Sequence, residues 1–557
     1  MATNRKSLFF VKVLALFLCL VILASSLSGC ASLIGLLRYY VTYAGYVEYF
    51  EEYQFNYTDQ DYEDFRTAQD RLTTLLAYNS EGVRSDVNNA FQTYYSAYIR
   101  LGSQYQLSML NYSMEPTDED TVSAYETMTT RYNEAYSHYM EILTIILDSI
   151  YGAELIGTED EGFIEFIRLR ARSSTPEILE LQNRNSELVL QQHELDSTSP
   201  DFASRHDELY REFTANNRKI ASLLDYSNYM DYEGEMSYSR DFKMDEIRDF
   251  LVEFARSANT WYGIALDRFQ QLSAGLTDAQ TTELASLMYE AFYEGKQKER
   301  IQGFMEWMPA EFSGFYSDVN DKYQSIFLGS AQNNARKAAF TFTLMSTMVP
   351  VMYFGPEDYS SPFTFVHEFG HAFNQFETRE RMAKTSLEYS ETASQADEML
   401  YLIYLEKLIT DTKVYDVLRS YHLYSAMESL ELALAVAMFE DEIYRTGRTD
   451  YDTVMEEVCS RYVPTLYAQV GTRLHTYIRQ VTMDSPAYYL SYAISLIPCL
   501  ELYMIASDSV WASDYRDMYI TLVTDMDHTY VDALKHAGFS DPFRTETVRK
   551  LNEFYSK

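Results

Sequence analysis

Apolar residues recur at helical spacing along almost the whole chain. After a tyrosine-rich stretch from Ala31 to about Tyr57, the residues Phe65, Leu72, Leu75 and Leu76 fall on one stripe, which predicts a helix ending at the polar break Asn79-Ser80-Glu81-Gly82. A second helix is expected to about Ser108. Pro116 to Asp120 then opens a long helix to Ile150, with Thr117 as N-cap and acidic residues in the first turn, where the helix dipole favours them. Gly152, Gly157 and Gly162 break it. Thr175-Pro176-Glu177 starts another helix by N-cap and N1 proline, running to the turn Asp196-Ser197-Thr198-Ser199-Pro200. A partner over about Phe202 to Leu224 returns against it, and long helices follow over Met244 to Leu272 and Asp278 to Tyr293. The tyrosines of the N-terminal half sit at helical spacing and read as packing residues, and no chemistry is visible there.

The periodicity changes once. Phe340-Thr341-Phe342-Thr343-Leu344 alternates, and Val349 to Phe354 is an apolar run closed by Gly355-Pro356, so two strands are predicted. Helical spacing then resumes to the C-terminus. One helix runs on through Met399 to about Thr412. Ser485-Pro486 reads as an N-cap and N1 pair opening a helix that carries Tyr488, Tyr489 and Tyr492; Tyr488 and Tyr492 are four apart, so both phenols can face one point. No internal repeat or low-complexity segment stands out.

The chemistry lies between the strands and that last helix. Thr364 to Phe373 contains His367-Glu368-Phe369-Gly370-His371, the pattern H-E-x-x-H. Residues four apart share a helix face, so His367 and His371 can offer two imidazole nitrogens to one ion. A catalytic zinc takes three protein ligands and leaves the fourth position to water; Glu368, one residue past the first ligand, can take that water's proton. The third ligand is expected from Thr385 to Glu398. Glu391 is favoured, 20 residues after His371, which is room for one helix to end and another to return. Glu388, one turn earlier, is the alternative ligand. Glu398, seven residues on from Glu391, shares its helical face and can hydrogen-bond a ligating histidine.

These pieces together resemble the thimet oligopeptidase and oligoendopeptidase F family of zinc metallopeptidases. The resemblance is carried by Phe363-Thr364-Phe365-Val366 leading into the histidine motif, by Glu391-Thr392-Ala393-Ser394-Gln395 with the later Glu398, and by Pro486-Ala487-Tyr488-Tyr489-Leu490-Ser491-Tyr492-Ala493. It extends more weakly to Asn217-Arg218-Lys219-Ile220-Ala221 and Tyr226-Ser227-Asn228-Tyr229, covering roughly Thr175 to the end. It implies a mainly α, two-lobed helical metallopeptidase with a small β-element beside the H-E-x-x-H helix, one zinc per chain, and short peptides as substrates. By the same resemblance, Tyr488 and Tyr492 line the cleft and stabilise the oxyanion or hold the substrate backbone. One departure stands out: where the family usually has a histidine shortly before P-x-Y, this chain has Thr482-Met483-Asp484, and the nearest histidine is His475. His422, His528 and His536 read as isolated, structural or exposed. The rival reading from another class is a lipid-anchored peptide-binding protein with the same fold and little catalysis. Endo- versus exopeptidase action and oligomeric state are not legible.

The beginning of the chain reads as a processing signal. Arg5, Lys6 and Lys12 precede the apolar run Val13 to Leu23, and Leu27-Ser28-Gly29-Cys30 resembles a bacterial lipobox, which implies diacylation of Cys30. An uncleaved membrane anchor is the alternative, although the run falls short of the roughly 20 residues a span needs. Either way the body is expected outside the cytoplasm, attached to the membrane. Losing residues 1–29 removes three basic residues and no acidic one, so the formal charge of −38 becomes −41. That excludes nucleic acid as a natural partner. Residues 30–174 are expected as an N-terminal helical region and 175–557 as the catalytic region. Of four cysteines, Cys459 and Cys499 remain after the leader and the lipid site; they could pair in an oxidising compartment, but their apolar helical settings favour separate buried thiols.

Overall fold

Among the described residues two large apolar cores divide the helices, and a small third cluster lies at the sheet. A computed structural model describes residues 53–157, 161–195, 199, 201–358, 361–379, 385–507 and 515–557; the expected leader, Cys30, most of the tyrosine-rich stretch and most of the turn at 196–200 lie outside them. Three helices, α1 (Asp59–Leu76), α2 (Arg84–Met114) and α3 (Glu119–Leu147), build the first core around Phe65, Leu72, Phe91, Tyr94, Met128 and Ile146. Between α2 and α3 runs a ladder of stacked phenols: Tyr98 on Tyr139, Tyr105 on Tyr132 and Tyr112 on Tyr125, with ring centroids 4.3, 4.8 and 4.8 Å apart. Each set recurs every seven residues, and the pairing runs in opposite senses on the two helices, so the ladder is an antiparallel seam. The N-cap of α3 is Asp118, not Thr117: its carboxylate accepts the Thr121 amide at 2.9 Å.

Helix α4 (Glu161–Arg172) joins the cores, with Ile167 in the first, Leu169 in the second and Phe166 packed against both. The second core takes in the paired helices α5 (Pro176–His193) and α6 (Phe202–Leu223), then α7 (Met244–Ser273), which packs along α10 (Thr412–Thr446). At its centre lies α9 (Leu387–Leu408), flanked by α8 (Pro362–Glu377) and α11 (Tyr489–Ser507). Buried residues run round all sides of α9, as a central helix requires. Shorter helices complete the lobe, among them α12 (Tyr515–Val523) and α13 (Tyr530–His536). Cys459 and Cys499 are buried, unpaired thiols.

The two predicted strands form, as β2 (Ala339–Leu344) and β3 (Val349–Phe354). A three-residue strand that periodicity is too short to reveal, β1 (Ile326–Leu328), adds itself parallel to β3, giving the order β1-β3-β2 with β2 at an edge. Thr341 and Thr343 of β2 bond residues of α8, while Phe340, Phe342 and Leu344 turn the other way onto Leu107 and Leu110 of α2. The sheet thus sits between the first lobe and the helix that carries the histidines.

Candidate metal centre

Ser361 caps α8, its hydroxyl accepting the Thr364 amide at 3.2 Å, and Pro362 takes the first helical position. Phe365, Val366, Phe369 and Phe373 bury one side of the helix, which leaves His367 and His371 on a less buried face, side chains 23% and 14% exposed. Ser386 caps α9 in the same manner and sets Glu391 in its second turn. Gly370 decides how closely the two helices meet. A Cβ there would lie 2.8 Å from Ser394 Cα and 2.9 Å from Ala393 O, so only glycine allows this approach.

The approach brings three donors together. Glu391 Oε2 lies 3.9 Å from His367 Nε2 and 3.7 Å from His371 Nε2, and the three donor atoms all fall within 4.8 Å of one another. Each ligand is held from behind. Glu398 Oε1 takes His367 Nδ1 at 2.7 Å, Ser390 Oγ meets His371 Nδ1 at 3.0 Å, and Tyr488 donates its phenol to Glu391 Oε1 at 3.1 Å. With the back atoms engaged, both Nε2 atoms and one carboxylate oxygen converge on a common point, a three-donor group that could hold a metal ion. Glu388, the alternative ligand, is fully buried in an ion pair with Arg240, Nε to Oε1 at 2.7 Å, and turns away from the histidines.

The electrostatics suit a dication. Burial opposes charge on His367, but the hydrogen bond and charge of Glu398, with Glu368 and Glu391, outweigh it and hold the imidazole at about 9. Burial pushes Glu391 up to about 7 and also raises Glu368, while burial and the neighbouring His367 drive His371 well below the usual imidazole range. Such opposed shifts come chiefly from burial, with the neighbouring charges adding to or offsetting it.

Glu368 is buried and faces the sheet: Thr341 Oγ1 donates to its Oε2 at 2.7 Å. It borders a cleft of about 630 Å³ that His367, Gln395, Tyr477, Tyr489 and Tyr492 also line, with Ala339 of β2 at its wall. Pro350 opposes Thr343 and has no N–H to give, so that pair is a non-hydrogen-bonded one, and the peptide groups of Ala339, Thr341 and Thr343 point outward from the edge. The Gln106 carboxamide closes the far end by bonding Thr343 O and Met345 N at 2.8 and 2.9 Å. Among the described residues no other strand pairs with the edge nearest Glu368.

Tyr488 and Tyr492 do converge, their hydroxyls 3.3 Å apart, but not as one helical turn. Helix α11 begins at Tyr489, after Ser485-Pro486 rather than with it. The intervening turn puts Ala487 at φ +59°, and it is clamped by Glu440, which accepts the Ala487 amide, and by Arg240 and Tyr238, which donate to Ala487 O and Pro486 O. Tyr488 bonds a ligand, whereas Tyr492 lines the cleft. His475 does not stand in for the missing histidine: it is buried between Asp452 and Tyr467 at 3.3 and 3.2 Å. Thr482 and Asp484 bond Tyr210 and His193 instead.

Some site residues escape sequence reasoning. His422, read as isolated, lines the cleft, stacks on Phe363 and lies 3.7 Å from Glu398 Oε2. Tyr477 and Tyr489 meet across the cleft with hydroxyls 2.5 Å apart. His422 and Tyr477 stand in no local motif; His422 comes from α10 and Tyr477 from the helix Arg473–Asp484, so only the tertiary packing of those helices could reveal them.

No family model matches the sequence, and no curated protein does. Among solved structures the chain is similar to PZ peptidase A crystallised with an inhibitor, at TM-score 0.66 and 14% identity over 91% of this chain and 97% of that one. It is also similar to a protein described as oligoendopeptidase F from Bacillus anthracis, at 0.65 and 13% over 90% and 96%, and to another so described, at 0.65 and 16% over 91% and 97%. The chain therefore has the helical fold of the oligoendopeptidase F and PZ peptidases, small sheet included.

Proposed function

We propose that the protein is a zinc-dependent oligopeptidase that hydrolyses short peptides outside the cytoplasm. One observation carries the reading: His367, His371 and Glu391 bring three donor atoms within 4.8 Å of one another beside a cleft that His367, Glu368, Tyr492 and Ala339 of the edge strand line. The donor set fits zinc, with two imidazole nitrogens and one carboxylate oxygen whose remaining polar atoms are already bonded. Held by these three, zinc would supply Lewis-acid chemistry to the attacking water and to the scissile carbonyl. Glu368, its carboxylate fixed by Thr341, would take the proton of the attacking water and return it to the leaving amine. Tyr492 donates to the oxyanion as it forms. Substrate backbone pairs with the outward groups of Ala339 and Thr341, so little is asked of substrate side chains. The similarity in fold to proteins named as peptidases supports the same reading.

The test is Glu368→Gln, which removes a base and leaves the ligands alone. Zinc content and peptide Kd should hold, while kcat falls by about 10²-fold to 10⁴-fold or more. If the wild type loads zinc and binds peptides yet cleaves none of a broad set, like the variant, the protein is a peptide-binding protein instead. The attachment through a diacylated Cys30 is proposed on Leu27-Ser28-Gly29-Cys30 alone. Cys30→Ser should abolish acylation by mass spectrometry, and an unlipidated, uncleaved wild type refutes it.

A further inference from the structure

A second group of ligating side chains converges far along the chain from the first. Asp525 follows α12, and its carboxylate is buried, 2% exposed. Oδ1 accepts the backbone amides of Asp527 and His528, both at 2.9 Å, which fixes the carboxylate and turns Oδ2 outward. Two imidazoles meet Oδ2 from the solvent side, His528 Nδ1 at 2.8 Å and His536 Nδ1 at 2.8 Å, with ring centroids 4.8 Å apart. His536 is placed by α13, whose Tyr530, Ala533 and Leu534 are buried in the core.

We propose that Asp525, His528 and His536 form a second zinc site, structural in role and separate from the proposed catalytic one. The three donor atoms lie within 4.8 Å of one another. Two nitrogens and one carboxylate oxygen suit zinc rather than magnesium or calcium, which prefer oxygen shells. Ligand bonds of about 2.0–2.1 Å place tetrahedral donors about 3.3 Å apart, so each contact must widen by about half an ångström. Side chains 41% and 56% exposed have room for that. The buried, amide-bound Asp525 is the fixed member, and the two imidazoles close on it.

The location gives the site a purpose. The Asp525 carbonyl accepts the Tyr389 phenol at 3.2 Å, two residues before Glu391. Asn374, three residues past His371, donates to Val523 O at 2.9 Å, and Tyr530 meets Thr392 hydroxyl to hydroxyl at 2.9 Å. An ion tying residue 525 to 528 and 536 therefore braces the segment that holds the backs of α8 and α9 together.

The experiment strips the full chain with chelator, reloads it with zinc sulfate and counts bound metal. His528→Asn/His536→Asn keeps a donor toward Asp525 while weakening ligation. The wild type should hold two zinc ions per chain, this variant one, His367→Asn/His371→Asn one, and the combined variant none. A His528→Asn/His536→Asn chain that retains the wild-type count overturns the proposal. A wild type with a single ion lost only on changing His367 and His371 overturns it too and leaves the catalytic reading intact; a single ion lost only on changing His528 and His536 does the reverse. Should the 528/536 variant fail to fold, the His367→Asn/His371→Asn chain is loaded with cobalt(II): visible d–d absorption is expected from the Asp525 site, and its absence refutes that site.

Discussion

Gly370→Ala probes the contact on which the proposed metal centre depends. The new Cβ would sit 2.8 Å from Ser394 Cα, where ordinary contact begins at 3.4 Å, so the helices must part locally by about 0.6 Å. The obstructing atoms, Ser394 Cα and Ala393 O, are backbone, and no side-chain rotation relieves them. Overpacking of this kind costs about 1–3 kcal/mol. The functional effect should be larger, because Glu391 sits on α9 beside the contact while His367 and His371 sit on α8, and ligand positions tolerate only about 0.2 Å. Zinc affinity should drop by about 10-fold to 100-fold, and kcat/KM by about 100-fold even at saturating zinc. The assays are competition against a metal chelator, cleavage of a quenched fluorescent peptide, and thermal unfolding. Gly263→Ala on α7, whose added Cβ meets nothing within 4 Å, is the control and should be neutral or slightly stabilising. A Gly370→Ala protein that binds zinc and turns over like the wild type would falsify the idea that this approach sets the ligand geometry.

Three other variants divide the labour at the site. Glu391→Ala should lose zinc and activity together, whereas Glu388→Ala should keep the zinc site but destabilise the fold by about 3–5 kcal/mol, since it strands the buried Arg240; zinc counts and denaturant melts read both, and the reverse pattern moves the ligand one turn back. Tyr492→Phe should cut kcat by about 10-fold to 1,000-fold with zinc unchanged, while Tyr488→Phe, which frees Glu391 Oε1, should weaken zinc about 10-fold to 100-fold; matching effects in the two would refute the division. Thr341→Val removes the hydroxyl bonded to Glu368 and should lower kcat by about 10-fold, roughly one charged hydrogen bond, with KM little changed; an unaltered kcat means Glu368 is held by other groups.

Local rules were enough for most of the long helices, the two longer strands and the face that His367 and His371 share. H-E-x-x-H places two nitrogens on one face whatever the fold, and the caps Ser361-Pro362 and Ser386 act through their own next turn. Glu391 and Glu398 share a face by spacing alone. The tertiary structure decided what depends on contacts between distant segments. Glu388 was separated from Glu391 by Arg240, which lies 148 residues upstream of it. Tyr488 became a partner of a ligand because Arg240, Tyr238 and Glu440 clamp a left-handed turn that no pattern in Ser485-Pro486-Ala487 announces. His422 joined the cleft, and His528 and His536 met at Asp525, because helix packing sets where an isolated side chain ends up. A periodic pattern fixes which face a residue occupies, but which residues face one another follows from burying those faces together.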